Sequence, residues 1–225
     1  LITLPIAWIY LLPNSFIDFS KSVLFSLSFS SNFYFHYSGQ EYGAPSGMFK
    51  PYLHTWALSV EEQFYILFPI VLFVAFKYFK KYIFYILIII FLMSLVLAEW
   101  GSKNYPSLNF YMLPTRGWEL LAGSILAYFE IKNGHRSKNL MLISILPSIG
   151  FILIIINIIF FKLHFPHPSF HTMLSIIGVC LIIWFSQKGE LVNRILSSKL
   201  FVGIGLISYS LYLWHYPVFA FDSVI

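Results

Sequence analysis

Apolar runs of membrane-crossing length recur along this sequence, and they constrain its fold more than any other feature. A helix needs about 20 apolar residues to cross a bilayer. The windows are Leu1–Leu12, Thr55–Phe76, Tyr82–Ala98, Thr115–Phe129, Leu140–Phe161, Phe170–Ser186 and Phe201–Phe221. Barrel strands would alternate apolar and polar residues, and these windows do not. Only 10% of the 225 residues are charged, 14 basic and 9 acidic, while 59% are apolar. That is too little charge for a water-facing surface of this size. A soluble enzyme, a disordered chain and a disulfide scaffold are excluded. The lone Cys180 has no partner for an internal bridge and reads as a small apolar residue. The expected fold is all-α: a polytopic transmembrane helix bundle of about seven spans. Ser22–Phe35, apolar but rich in serine, reads as one added interfacial helix. The Leu1–Leu12 run begins without a cap or charged flank and reads as the second half of a span.

The loop lysines and arginines give an orientation. Lys77, Lys80, Lys81, Lys132, Arg136, Lys138, Lys188, Arg194 and Lys199 fall in one alternate set of loops. Lys21, Lys50, Lys103 and Lys162 fall in the other. The positive-inside rule puts the richer set in the cytoplasm. The net charge of +5 is absorbed this way, and no basic stripe suggests nucleic acid.

Ionisable residues inside such helices are costly and point to function. On the second window lie His54, Glu61 and Glu62; on the fourth, Arg116 and Glu119; on the seventh, Tyr209, Tyr212 and His215. Helical spacing puts Thr55, Ser59 and Glu62 on one face and His54 with Glu61 on an adjacent one. Arg116 shares a face with Glu119, and Ser208 with Tyr212 and His215. On seven spans these stripes fall at similar depth and meet in one cavity. A structural alternative stands beside this: Arg116 could pair with Glu119, Glu61 or Glu62 only to fix helix register. The spacing of His164, His167 and His171 is one that zinc sites use. Pro166 and Pro168 break any shared helical face, however, and no metal is expected there. No phosphate loop, nucleophile elbow or His-Glu-x-x-His occurs. The residues alone fit acid–base chemistry and proton-coupled transport equally.

Three stretches carry a resemblance. His54-Thr-Trp-Ala-Leu-Ser-Val-Glu-Glu-Gln-Phe-Tyr65, Leu113-Pro-Thr-Arg-Gly-Trp-Glu-Leu-Leu-Ala-Gly123 and Ser208-Tyr-Ser-Leu-Tyr-Leu-Trp-His-Tyr-Pro-Val218 resemble, in order, hallmarks of the acyltransferase-3 family. Phe165-Pro-His-Pro-Ser169 is similar to a loop of that family, and the bacterial surface-polysaccharide branch is the best match. The resemblance implies a membrane O-acyltransferase in a bacterial inner membrane. It implies acetyl-CoA as donor, with no bound cofactor. It implies a hydroxyl of a lipopolysaccharide, peptidoglycan or similar glycan, or a lipid-linked sugar, as acceptor, with membrane lipid as surroundings. By position, the resemblance makes His54, Glu61, Glu62, Arg116, Glu119 and His215 candidate catalytic residues. Ser59, Trp118 and Tyr212 become candidate substrate-binding residues. The family's usual base belongs to an arginine-x10-histidine motif expected ahead of Leu1, and further spans are expected after the third hallmark. Residues 1–225 therefore read as one integral-membrane acyltransferase domain, truncated at both ends and inactive alone. The runner-up is a proton-coupled transporter.

Overall fold

In the computed structural model, residues 2–40, 47–134, 136, 138–160 and 167–222 are described, and among them every regular element is helical. The helices are α1 (Thr3–Tyr10), α2 (Pro13–Leu27), α3 (Ser31–Ser38), α4 (Thr55–Tyr78), α5 (Ile83–Asn104) and α6 (Pro106–Tyr111). They continue as α7 (Leu113–Asn133), α8 (Leu140–Phe160), α9 (Met173–Phe185), α10 (Leu191–Leu196) and α11 (Lys199–Asp222). The all-α expectation is met, but seven spans are not. Among the described residues, three helices are long and apolar enough to cross a membrane: Thr55–Tyr78, Lys80–Asn104 and Leu140–Phe160. Phe170–Phe185 is a shorter apolar helix.

The shortfall has local causes. Helix α1 stops at Tyr10 after eight residues, and Pro13 starts a new helix at its first position. Helix α7 carries Arg116, Glu119, Glu130 and Lys132 within 21 residues. Helix α11 is long enough at 24 residues, but Ser208, Ser210, His215, Pro217 and three tyrosines dilute its apolar content. The single interfacial helix is also replaced. The chain breaks between α2 and α3 at Phe29, whose φ is +53°. A left-handed phenylalanine is uncommon, and it is held from two sides. Gln63 Nε2 donates to its carbonyl oxygen at 2.8 Å, and the flanking Ser28 and Ser30 hydroxyls bond each other at 2.6 Å. The orientation drawn from loop charges rested on seven alternating crossings and falls with that count.

The chain divides into two compact units. The first comprises Leu1–Phe68, Tyr111–Leu113 and Ile204–Ile225; the second comprises Pro69–Phe110 and Pro114–Gly203. In the first unit Ala7, Phe19, Val23 and Phe221 form a buried cluster, with Phe16 and Tyr52 packed against it. Beside it runs a seam of hydroxyls. Ser26 Oγ lies 2.7 Å from Thr55 Oγ1, Thr55 donates to Ser31 Oγ at 3.1 Å, and the Ser31 and Ser59 hydroxyls lie 2.8 Å apart. Ser31 and Ser59 are almost wholly buried. Small residues that hydrogen-bond across helices are the usual cement of membrane bundles.

In the second unit Leu95, Ala98 and Trp118 form the core, with Phe91, Met173 and Ile176 against them. Helices α8 and α9 meet backbone to backbone at Gly150 and Gly178. A Cβ on either glycine would sit 2.6 Å from the other's carbonyl oxygen. No side chain fits there, so the crossing depends on two glycines. Large apolar side chains cover much of the outer surface, such as Ile158 at 71%, Phe160 at 70% and Leu206 at 81% exposed. Water does not favour such a surface, and hydrocarbon does.

Candidate active site

The first unit collects the histidines of the first and third hallmarks. His54 immediately precedes α4 and is 6% exposed. Its ring sits in a box of aromatic side chains. Tyr52 and Tyr216 lie nearly parallel to it, with centroids at 6.3 and 5.7 Å, and Tyr212 and His215 meet it edgewise at 5.3 and 5.4 Å. Two tyrosines of α11 fix this box by donating to backbone. Tyr212 Oη bonds the His54 carbonyl at 2.6 Å, and Tyr216 Oη bonds the Gly47 carbonyl at 2.9 Å.

Among the described residues, neither ring nitrogen of His54 has a hydrogen-bond partner of ordinary geometry. Its pKa is pushed down from 6.5 to about 4, by burial first and by the neighbouring His215 second. The nearby backbone of Leu213 and Pro51 offsets part of this. His54 is thus an uncharged imidazole at neutral pH.

His215 is exposed and has a defined tautomer. Its Nδ1 lies 2.7 Å from the carbonyl oxygen of Tyr212 one turn earlier. A carbonyl only accepts, so Nδ1 carries the proton and Nε2 presents a lone pair. That tautomer is assigned from the hydrogen bond. Glu61 is exposed on α4 and close enough to Tyr212 to act on it electrostatically, and Glu62 is half-buried. The structure thus brings His54, Tyr212 and His215 together. Ser59, expected to bind substrate, instead sits in the hydroxyl seam against Ser31.

Sequence reasoning passed over several residues of this unit. Gln63 and Asn32 form an amide pair, with Gln63 Nε2 donating to Asn32 Oδ1 at 2.9 Å, and Asn32 Nδ2 donates to the Tyr111 carbonyl at 3.1 Å. Asn32 is fully buried. Tyr216 and Gln63 lie within the quoted hallmarks, which was the available signal; Asn32 gave none.

The second unit holds the middle hallmark. Arg116 Nε donates to the Phe110 carbonyl at 2.9 Å, its guanidinium lies 5.1 Å from the Phe110 ring centroid, and Nη1 lies 3.6 Å from Glu119 Oε2. The Arg116–Glu119 pair along one helix is therefore real. Thr115 Oγ1 donates to the Asn109 carbonyl at 2.7 Å, and Asn109 Nδ2 donates to the Pro168 carbonyl at 2.9 Å. This links the start of α7 to the Pro168 loop. His167 in that loop has its pKa lowered by burial first, then by the charges of Arg116 and His171.

His164 lies outside the described residues. Among the described residues no group of His, Cys, Asp and Glu could hold a metal. Trp118 is fully buried, and its backbone N–H donates to Ser94 Oγ at 2.9 Å. Its ring walls an apolar groove of about 660 Å³ that Phe91, Ile125, Ile177, Cys180 and Trp184 also line.

A profile described as an acyltransferase domain matches residues 1–221. The chain belongs to the acyltransferase-3 family. It is similar to bacterial O-acetyltransferases. Peptidoglycan O-acetyltransferase OatA of Listeria monocytogenes is 29% identical over 204 residues, which are 86% of this chain and 33% of that protein. O-acetyltransferase OatA of Staphylococcus aureus is 28% identical over 220 residues, 93% of this chain and 36% of that protein. The chain thus spans about a third of the length of these family members. No solved structure matches it. Helices of spanning length and bacterial relatives make this family member an integral protein of a bacterial inner membrane.

Proposed function

We propose that residues 1–225 are one membrane acyltransferase domain that moves an acetyl group from a coenzyme A thioester to a hydroxyl of a cell-envelope glycan. The supporting observation is the His54–His215 pair at 5.4 Å, with the Nδ1 proton of His215 committed to Tyr212. An acceptor hydroxyl that donates to Nε2 of His215 has its oxygen made more nucleophilic. As that oxygen attacks the thioester carbonyl, Nε2 takes the proton. The new C–O bond forms, the C–S bond breaks, and the coenzyme A thiolate leaves and recovers the proton from the imidazolium. Neutral His54, edge-on to His215, keeps the site uncharged before the proton moves. Tyr212 holds the His54 backbone through its Oη and orients the His215 ring through its own carbonyl. Glu61 and Glu62 lie on α4 about two turns beyond His54 and favour the imidazolium once it forms. In the second unit Arg116 offers a planar fork to a phosphate or carboxylate of a substrate, with Glu119 fixing its orientation. The family's arginine-x10-histidine motif does not occur in these 225 residues, and its histidine would share the proton task.

The test uses a strain lacking the gene, with ester-linked acetyl on envelope glycans read by mass spectrometry. Deletion should remove the acetyl, and the wild-type gene should restore it. His215→Ala at equal protein level should restore about 1% or less of the wild-type rate, the usual scale of a lost acid–base group. Unchanged acetyl after deletion would move proton-coupled transport to first place.

A further inference from the structure

The chemistry proposed above makes no use of the apolar groove of the second unit, of about 660 Å³. Helices α5, α7 and α9 wall it, and every lining side chain is aliphatic, aromatic or sulfur-bearing. Trp118 is the one buried residue of the lining; the others are half-buried or exposed, so the groove is open along its length. Trp118 and Met173 mark one end, and Trp184 and Phe185 the other. From Met173 to Phe185 helix α9 rises about 18 Å. One leaflet of the hydrocarbon core is about 15 Å deep. The groove thus matches the length of one lipid acyl chain, and the acetyl group of the proposed donor is far too short to fill it.

The Trp184 end is basic. Phe84 meets Phe129 with ring centroids 5.2 Å apart, and Phe129 meets Trp184 at 6.4 Å. The start of α5 and the ends of α7 and α9 therefore lie together. Lys80 and Lys81 precede α5, Lys132 sits in the last turn of α7, and Lys188 follows α9. Arg136 is fixed at the same end. Its Nη1 donates to the Ile183 carbonyl at 2.9 Å, and its Nε donates to Glu130 Oε1 at 3.0 Å. The first bond satisfies a last-turn carbonyl that α9 itself leaves open. Among the described residues here, five basic side chains stand against two carboxylates, Glu130 and Glu190. Glu190 is engaged in capping α10, where it accepts from the Val192 and Asn193 N–H groups. The carbonyl ends of α7 and α9 add partial negative charge, which Lys132 and Arg136 offset. A groove that is dry along its length and positive at one mouth complements a molecule with the same division, an apolar chain on an anionic head.

We propose that this groove binds one acyl chain of an anionic phospholipid and holds the lipid's phosphate at Arg136 and the neighbouring lysines. The binding does not rest on the acyltransferase reading, and a lipid measurement leaves that reading untouched. The test takes the protein expressed from the whole gene, extracts it into detergent, and titrates it by native mass spectrometry. The probes are phosphatidylglycerol and phosphatidylcholine with identical acyl chains. One phosphatidylglycerol should be retained per chain about tenfold more tightly than phosphatidylcholine, the scale of one or two basic residues beside an anionic head. Ala122→Phe places a ring in the groove and should abolish retention of both lipids. Lys132 and Lys188 are exposed, so the double variant Lys132→Gln, Lys188→Gln repeats the test without risk to folding. It should bring phosphatidylglycerol down to the level of phosphatidylcholine. Equal retention of the two lipids by the wild type, full retention by a folded Ala122→Phe protein, or an unchanged preference in the lysine variant would overturn the proposal. Displacement of the lipid by acetyl-CoA would assign the groove to the donor instead, and a protein that retains no lipid would assign it to another helix of the same protein; either result also overturns the proposal.

Discussion

His54→Phe should give a protein that is at least as stable as the wild type and transfers acetyl about 100-fold more slowly or worse. The two halves of this expectation have separate grounds. The ring of His54 sits among four aromatic side chains, and among the described residues its nitrogens have no hydrogen-bond partner of ordinary geometry, only the nearby backbone of Leu213 and Pro51. A buried polar group left unsatisfied costs about 1–3 kcal/mol. Phenylalanine keeps a planar ring of similar size in the box and removes that cost. The Tyr212 bond to residue 54 survives, because it goes to the backbone carbonyl. A chain that retains such an unfavourable imidazole uses it, and stability given up at a site is a common trade for activity. Thermal unfolding in detergent and acetyl transfer, measured on one preparation, separate the possibilities. A stable, fully active phenylalanine variant would make His54 a packing residue. His54→Ala is less informative, because it empties the box and mixes cavity cost with chemistry.

The second large effect lies in the second unit. Gly178→Leu should prevent accumulation of folded protein. The new Cβ would lie 2.6 Å from the Gly150 carbonyl oxygen and 2.9 Å from Ile154 Cγ1. Neither the backbone oxygen nor a packed isoleucine stem can yield that distance without moving α8 from α9. Overpacking by a few methyl groups costs about 1–3 kcal/mol, and a leucine pressed on backbone exceeds that range. Gly178→Ala should show a partial loss, and Gly203→Ala is the control. A Cβ at Gly203 meets nothing within 4 Å, so alanine there should be neutral or gain up to about 1 kcal/mol from helix propensity. Wild-type levels of Gly178→Leu protein, judged by size-exclusion profile and melting temperature, would mean that α8 and α9 do not cross at these glycines.

Much of the site was legible in the sequence. His54, Arg116, Glu119, Tyr212 and His215 stood out as polar groups on apolar helices, and the hallmarks gave them a family. The pairing of His54 with His215 follows the expected convergence of the first and third stretches. Apolar length alone overcounted the spans. It could not see that Pro13 restarts a helix, that Phe29 turns left-handed under Gln63, or that the charges on α7 disqualify it. The Thr55 and Ser59 stripe was correctly seen as polar and inward, but a hydroxyl serves packing as readily as chemistry, and Ser26 and Ser31 claim it. Trp118, expected to touch substrate, is buried in the core of the second unit, where its ring also walls the apolar groove. Asn32 and the Gly150–Gly178 crossing had no sequence signal, since each takes its meaning from a residue distant in the chain.

The most direct measurement follows acetyl itself. Membrane vesicles from cells carrying the gene, supplied with acetyl-CoA labelled in the acetyl carbons, should transfer label to envelope glycan as an alkali-labile ester. Vesicles from the deletion strain, and from the His54→Phe strain at equal protein level, should leave the glycan unlabelled. Label that appears equally in all three, or in none, would contradict the assignment of this chain as a membrane O-acetyltransferase.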